Sequence, residues 1–386
     1  MIRLLHITTI PQALGFLIGQ VGYMKSQGFE VNALSSPGKL LDRFANAEQV
    51  PVYSVRMIRR ITPLRDLVAI FQLWQQLRII RPQIVHTHTP KGGLLGMIAA
   101  WLAQVPVRIY SIHGLPLMTA TGYRHILLRW SEKASCFLAH QVFCVSHSVR
   151  KVVVVEGLCS ASKVKVLANG SFNGVDATDR FNPKNIGEHI RLKVRRKYGI
   201  PDDALVLGFV GRIVRDKGLV ELVEAWKILC EEFPTLYLLV VGQFELEDSV
   251  PSEVEKLLRT NPRICLTGQV DDIPPLYAVM DVVALPSYRE GFGLVAIEAS
   301  AMALPVVATN IPGCVDAVQD GVTGILVPPR DAQALTEAIY KYLHDPAQRR
   351  QHGQAGRERV LRDFRREPIW KAMHQEYVCL LHQKGL

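Results

Sequence analysis

Glu290 and Glu298 stand eight residues apart in the segment Ser287-Tyr-Arg-Glu-Gly-Phe-Gly-Leu-Val-Ala-Ile-Glu-Ala-Ser300. Val282–Leu285 reads as a buried strand, Pro286–Gly291 as a loop, and Phe292–Ala303 as a helix with apolar residues at helical spacing. The spacing predicts Glu290 just before a helix N-terminus and Glu298 roughly two turns into that helix. Free backbone N–H groups at such a terminus suit a phosphate, and a carboxylate on either side can accept hydrogen bonds from sugar or ribose hydroxyls. A nucleotide-diphosphate sugar combines those features. On spacing alone the two residues also read as an exposed turn carboxylate and a helix-surface carboxylate.

A second segment, Gly211-Arg-Ile-Val-Arg-Asp-Lys-Gly218, follows the apolar run Leu205–Val210 and precedes a helix. Its glycines let backbone approach a ligand closely. Arg212 and Lys217 could neutralise a diphosphate and stabilise it as a leaving group. In Thr267–Tyr277 the pair Asp271-Asp272 is not an Asp-x-Asp metal motif; Asp272 reads as a helix cap before Ile273-Pro274. The backbone near Gln269 and Val270 could hold a base. His86 and His88 lie on one face of a strand end, where a zinc site would need ligands the sequence does not identify. Cleft lining or packing is the other reading. His113 ends a strand before Gly114, either facing a cleft or serving a structural role. Basic residues with apolar companions recur around Arg56, Arg59 and Arg60, and again around Arg124 and Arg129. They read as solvated amphipathic faces or as a surface for anionic lipid.

Strands and helices alternate along the first half, beginning with Ile2–Thr8, Glu30–Leu34, Ile84–Thr87 and Val107–Ile112, which implies a parallel sheet with right-handed crossovers. After the turn-rich Ala168–Asp176 the pattern restarts at Leu205–Val210 and continues through Tyr237–Val241, Ile264–Thr267, Val282–Leu285 and Val306–Thr309, with Val315–Val318 as a further strand. The expected architecture is α/β, two doubly wound domains with a cleft between them. The expected divisions are 1–175, a linker 176–200, 201–365, and a C-terminal helix 366–386 packing back on the first domain. Ligands of such sheets lie beyond the strand C-terminal ends.

At 386 residues two domains are expected. Seven cysteines without a Cys-x-x-Cys pair read as scattered reduced thiols in a cytoplasmic protein. Met1–Thr9, interrupted by His6 and followed by Pro11, reads as a strand and loop and not a signal peptide. No apolar run reaches about 18 residues, so no membrane span is expected. Met1–Arg180 holds 20 Lys and Arg against 8 Asp and Glu, so the whole basic excess lies in the first half. It argues for an anionic partner there: a bilayer surface or a pyrophosphate-bearing substrate. Nucleic acid is discounted, because no recognition motif for it is present.

Taken together, His86-Thr-His-Thr-Pro-Lys-Gly-Gly93, Ser111-Ile-His-Gly-Leu-Pro116, Asn173-Gly-Val-Asp176, Gly211-Arg212 with Asp216-Lys-Gly218, and Leu285-Pro-Ser-Tyr-Arg-Glu-Gly-Phe292 through Glu298 resemble glycosyltransferase family 4, the retaining enzymes of GT-B architecture. The nearest subgroup is that of bacterial transferases extending lipid-diphosphate-linked sugars for capsule, O-antigen or glycan assembly. The resemblance implies two Rossmann-like domains facing a cleft, the first binding acceptor and the second the donor. It implies that Arg212 and Lys217 grip the donor diphosphate, Glu290 the transferred sugar's hydroxyls and Glu298 the ribose. Backbone at Gly211 and at Gly291, Phe292 and Gly293 would approach the phosphate and sugar, with Val270 near the base and Gly15 at the diphosphate from the first domain. His113 would line the donor-sugar pocket, so His113, Arg212, Lys217 and Glu290 form the implied catalytic set. Arg56, Arg59, Arg60, Lys91, Arg124 and Arg129 would face acceptor or membrane. Gly293-Leu294 replaces the subgroup's usual Pro-Asn and leaves the donor sugar open.

The implied reaction moves a hexose or N-acetylhexosamine from a UDP-sugar to an undecaprenyl-diphosphate-linked glycan, with no metal or other cofactor, on the inner face of the plasma membrane. A nucleotide-sugar 2-epimerase of the same fold and a non-catalytic carbohydrate-binding protein are the alternatives.

Overall fold

Short apolar runs recur along the chain, and in the second half those at Leu205–Val210 and Val282–Leu285 hold no polar residue, as expected of parallel strands covered on both faces. In the computed structural model, which describes residues 1–245 and 247–386, they assemble into two sheets, each in its own unit. The first unit comprises residues 1–173 and 366–386, the second residues 174–365.

The first sheet contains β1 (Ile2–Ile7), β2 (Phe29–Ser35), β3 (Val52–Ser54), β4 (Ile84–His88), β5 (Val107–Ile112), β6 (Gln141–Cys144) and β7 (Val164–Val166). Their order is β3-β2-β1-β4-β5-β6-β7, parallel throughout. The order reverses between β1 and β4, the switch point of a doubly wound fold. One face carries Leu5, Ile7, Val85, Tyr110 and Ile112 into an apolar core beneath helices Pro63–Ile80, Pro90–Leu102 and Gly122–Leu138, which lie side by side. The opposite face carries His6, His86 and His88, with His6 and His86 aligned in register. Over that face lies helix Arg366–His382, whose buried Tyr377 meets His86 and Phe29.

The second sheet contains β8 (Leu205–Val210), β9 (Leu236–Val241), β10 (Ile264–Leu266), β11 (Val282–Leu285), β12 (Val306–Thr309) and β13 (Gly324–Val327), in the order β10-β9-β8-β11-β12-β13 and again parallel. Its core gathers Phe209, Leu222, Trp226, Leu238, Ile339 and Tyr342. Both units are Rossmann-like.

Several expectations need correction. The segment 176–200 is not a linker: it includes helix Glu188–Tyr198, and Arg195 is buried there, donating to the Ala204 carbonyl at 3.1 Å. Val315–Val318 is not a strand; Cys314–Ala317 is one helical turn. Short β3 was not anticipated. The helix bearing Glu298 runs Leu294–Ala301, because Gly293 takes a left-handed conformation as its N-cap, so Glu298 stands little more than one turn in. Asp272 does not cap the helix Pro274–Tyr277; Ile273 occupies that position and makes no side-chain cap bond.

Candidate functional site

The loops at the C-terminal edge of the second sheet are joined backbone to backbone. Gly218, at φ +70°, stands so close to the turn after β11 that a Cβ would lie 1.9 Å from the Pro286 carbonyl oxygen. Gly313, at φ +91°, presses on the next turn, where a Cβ would lie 2.8 Å from the carbonyl carbon of Gly291. A side chain at either position would push these loops apart, which is the physical need for glycine there. Gly242, after β9, contacts the Gly211 carbonyl in the same way and bridges to Gly268 after β10, which ties the Gln269-Val270 loop into the cluster. Polar contacts complete it. The Tyr288 amide donates to the Asp216 carbonyl at 2.9 Å, Arg289 pairs with the Asp216 carboxylate at 2.7 Å, and the Tyr288 hydroxyl donates to Glu221 at 2.7 Å.

This scaffold positions the charged residues expected from the sequence. Lys217 forms an ion pair with Glu290, and the Ser287 hydroxyl donates to the same Glu290 oxygen at 2.7 Å. The two charged side chains are 17% and 13% exposed, so the pair is largely withdrawn from water while still reachable. Arg212, about half exposed, pairs with Glu245 at 2.8 Å. Each cation thus rests on a carboxylate, and an anionic ligand would compete for both. Glu298 accepts a hydrogen bond from Tyr277 at 3.1 Å; burial first, and then this carboxylate, pushes the Tyr277 phenol well up and keeps it a donor. No side chain caps helix Leu294–Ala301 and no acidic residue lies in its first turn, an arrangement suited to an anion. Phe292 turns its ring into the core against Phe364, leaving only its backbone to the loop.

Gly211, Arg212, Lys217, Glu290, Gly291, Gly293 and Glu298 are therefore brought to one sheet edge, with Val270 in the adjoining loop. No role was expected for the supporting residues Ser287, Tyr277, Asp216, Arg289 and Glu245, although Asp216, Ser287 and Arg289 stand in the motif segments named above. Only Ser287 left a signal, its turn spacing of three from Glu290.

On the first unit His113 sits at the end of β5, half-buried, stacked on Phe16 at 4.7 Å and against the edge of Phe172 at 4.6 Å. Gly15 lies exposed in the same turn as Phe16, with open space where a side chain would project. Behind His113, His6 Nδ1 lies 3.0 Å from His88 Nε2, and His88 Nδ1 lies 3.0 Å from His113 Nε2. His86 contacts the hydroxyls of Tyr377 and Ser111, each at 2.7 Å. Burial holds His6 and His113 down to about 3 and pushes His86 and His88 well below the usual range, so all four rings are neutral. Ligand atoms of His6, His86 and His88 lie within 4.8 Å of one another, which adds to the two strand histidines a third that the sequence reading did not find.

Of the basic residues expected at an acceptor or membrane, Arg56, Arg59, Arg60 and Arg124 are exposed. Lys91 is not a surface cation: it is mostly buried, pairs with Asp66 at 2.7 Å and donates to the Arg60 carbonyl. Arg129 is tied to the Glu156 carbonyl at 2.7 Å. Next to these cations lie apolar side chains that the fold leaves in solvent. Leu64, Leu67, Val68 and Phe71 form one exposed helical stripe, and Tyr123, Ile126, Trp130 and Phe137 another. No helix among the described residues is long and apolar enough to cross a membrane.

Residues 190–359 match the model for glycosyl transferases group 1, and residues 19–170 the glycosyl transferase 4-like domain. The chain is 34% identical to the capsular polysaccharide biosynthesis glycosyltransferase CapM of Staphylococcus aureus, covering 99% of this chain and 98% of that one. It is 25% identical, over 89% of its length and 88% of the relative, to the Escherichia coli UDP-Gal:alpha-D-GlcNAc-diphosphoundecaprenol alpha-1,3-galactosyltransferase. In fold it is similar to Anabaena Alr3699/HepE, solved in complex with UDP-glucose, with a TM-score of 0.81 at 21% identity over 98% of this chain and 100% of that one. It also resembles WaaG, a glycosyltransferase involved in lipopolysaccharide biosynthesis, with a TM-score of 0.74 at 15% identity over 96% and 98%.

Proposed function

Because this chain belongs to the family of group 1, family 4-type glycosyltransferases of GT-B fold, we propose that it transfers a hexose or N-acetylhexosamine from a UDP-sugar to an undecaprenyl-diphosphate-linked glycan in capsular or other cell-surface polysaccharide assembly. The observation that carries this reading is the Lys217–Glu290 pair at the glycine-joined loops beyond β8 and β11. In this reading the diphosphate takes Lys217 and Arg212 from their carboxylates, and Glu290, so released, accepts hydrogen bonds from the sugar hydroxyls. Glu298, steadied by Tyr277, holds the ribose. The first-turn amides of helix Leu294–Ala301 meet the donor's negative charge.

Glu290 acts here by binding and orienting, not as a nucleophile. The cations stabilise the charge that develops on the departing diphosphate. The acceptor hydroxyl attacks from the face that the diphosphate leaves, so the anomeric configuration is retained. No resident metal or other cofactor has a role in this scheme, and positioning and charge stabilisation supply the rate.

The same reading places the protein on the inner face of the plasma membrane. The first unit carries the basic excess, and Arg56, Arg59, Arg60 and Arg124 suit anionic headgroups. The stripes Leu64–Phe71 and Tyr123–Phe137 add an apolar contribution that salt does not screen.

The test is to offer a panel of nucleotide sugars to the purified protein with and without an undecaprenyl-diphosphate-linked acceptor. Donor consumption only with acceptor, and a lipid product heavier by one sugar, is the expected outcome. Epimerisation of donor alone would favour a 2-epimerase, and binding without turnover a carbohydrate-binding protein.

A further inference from the structure

His6, His88 and His113 come from the ends of β1, β4 and β5 and stand in one hydrogen-bonded file. A neutral imidazole has one N–H and one lone pair. His88 spends both nitrogens on the neighbouring rings, so it donates to one and accepts from the other. The tautomers of all three are thereby linked, and the file can run in two directions. Running outward, His6 donates from Nδ1, His88 donates from Nδ1, and His113 keeps an Nδ1–H. Running inward, His113 and His88 both donate from Nε2, and His6 keeps an Nε2–H. Neither terminal nitrogen has a protein partner among the described residues.

The two ends differ in hydration. His6 is 1% exposed, whereas His113 is half-buried at the end of its strand. An N–H without a partner costs more in the interior than where water or a ligand reaches it, so the outward direction is favoured. We infer that His6 and His88 are positioning residues that hold His113 as its Nδ1–H tautomer, a neutral donor for a phosphate or hydroxyl oxygen of the substrate. The tautomer stands on the geometry alone, whereas its use on substrate rests on the transferase reading above. His86 lies outside the file, since both of its nitrogens are on hydroxyls.

The experiment is long-range proton–nitrogen correlation NMR of the full chain labelled with 15N-histidine, at pH 7.5. The expected spectrum shows His6, His88 and His113 all as Nδ1–H tautomers; His113 as the Nε2–H tautomer would overturn the inference. In His88→Leu, His113 should return to the Nε2–H form that free imidazole favours. In His88→Asn, whose amide nitrogen takes the place of Nδ1, it should stay Nδ1–H. Turnover number should fall about tenfold in His88→Leu, with donor KM unchanged, and recover in His88→Asn. A tautomer change with an unchanged turnover number would overturn the positioning role. Should His88→Leu fail to fold, the wild-type and His88→Asn spectra still decide the matter. Binding of one equivalent of Zn²⁺ by the wild type, lost in His6→Gln, would overturn the file in favour of a metal site. A wild-type protein inactive on every donor, yet showing the expected tautomers, would count against the transferase reading and leave the file standing.

Discussion

Replacing Glu290 by Gln separates two jobs that the structure gives to one carboxylate. In the free protein Glu290 neutralises Lys217 in a pair shielded from most solvent and braced by Ser287. Such a pair is worth about 1 kcal/mol net, since desolvation offsets much of its attraction. Glu290→Gln frees Lys217 for the diphosphate, so UDP itself should bind about fivefold more tightly. Transfer should move the other way. Hydrogen bonds from sugar hydroxyls to an ionised carboxylate contribute about 1.5–3 kcal/mol each, and the neutral amide retains part of that. For two hydroxyls the expected loss in kcat/KM is roughly 100-fold. Calorimetry with UDP and a transfer assay under the same conditions give both numbers. Weaker UDP binding together with unchanged transfer would refute the division of roles between Lys217 and Glu290.

Arg289→Met removes the ion pair that helps hold the Tyr288–Glu290 turn to Asp216, and should raise donor KM by about tenfold with little change in melting temperature; an unchanged KM would show that the glycine contacts and the Tyr288 hydrogen bonds suffice to fix the loops. Replacing Leu67, Phe71 and Trp130 by Ser should abolish the part of vesicle binding that survives high salt, whereas Arg59→Ala with Arg60→Ala should remove the salt-sensitive part; vesicle binding indifferent to both sets would refute the docking surface. The histidine layer should make the fold acid-labile. His6, His86, His88 and His113 stay neutral when folded but protonate near 6.5 once unfolded, so stability is complete above about pH 6.5 and is lost as pH falls, by about 2 kcal/mol per histidine at pH 5. Glu132, whose carboxyl burial raises to about 7, opposes this by about as much as one histidine. Denaturant titrations at pH 7.5 and 5 measure the difference, and equal stability at both would contradict the neutral histidine layer.

Much of the donor edge was legible because parallel strands put their C-terminal ends together whatever their order. Glu290, Arg212 and Lys217 each lie in the loop that follows an apolar run, so the sheet itself delivers them to one side. The supporting contacts were not legible: Glu245, the partner of Arg212, follows β9, Asp216 meets Arg289 across two loops, and Tyr277, which donates to Glu298, precedes β11. Such pairs depend on strand order and loop packing, which hydrophobic periodicity does not encode. His6 was hidden for the same reason, being one imidazole in an apolar strand until β1 is placed beside β4. The stripe Leu64, Leu67, Val68 and Phe71 has the spacing of a buried helix face, yet the helix buries Ala69, Leu73, Leu77 and Ile80 instead. Periodicity finds a face; only the neighbouring elements decide which face is covered. Lys91 illustrates the limit for charge, since a basic count cannot see that Asp66 neutralises it.

The most direct test of the central claim, that the loops beyond the second sheet bind a nucleotide-diphosphate sugar, is a crystal structure of the protein with UDP. The diphosphate is expected on Lys217, Arg212 and the first-turn amides of helix Leu294–Ala301, with the ribose hydroxyls on Glu298 and with Lys217 drawn away from Glu290. UDP bound elsewhere, or bound at this edge with the Lys217–Glu290 pair intact, would contradict it.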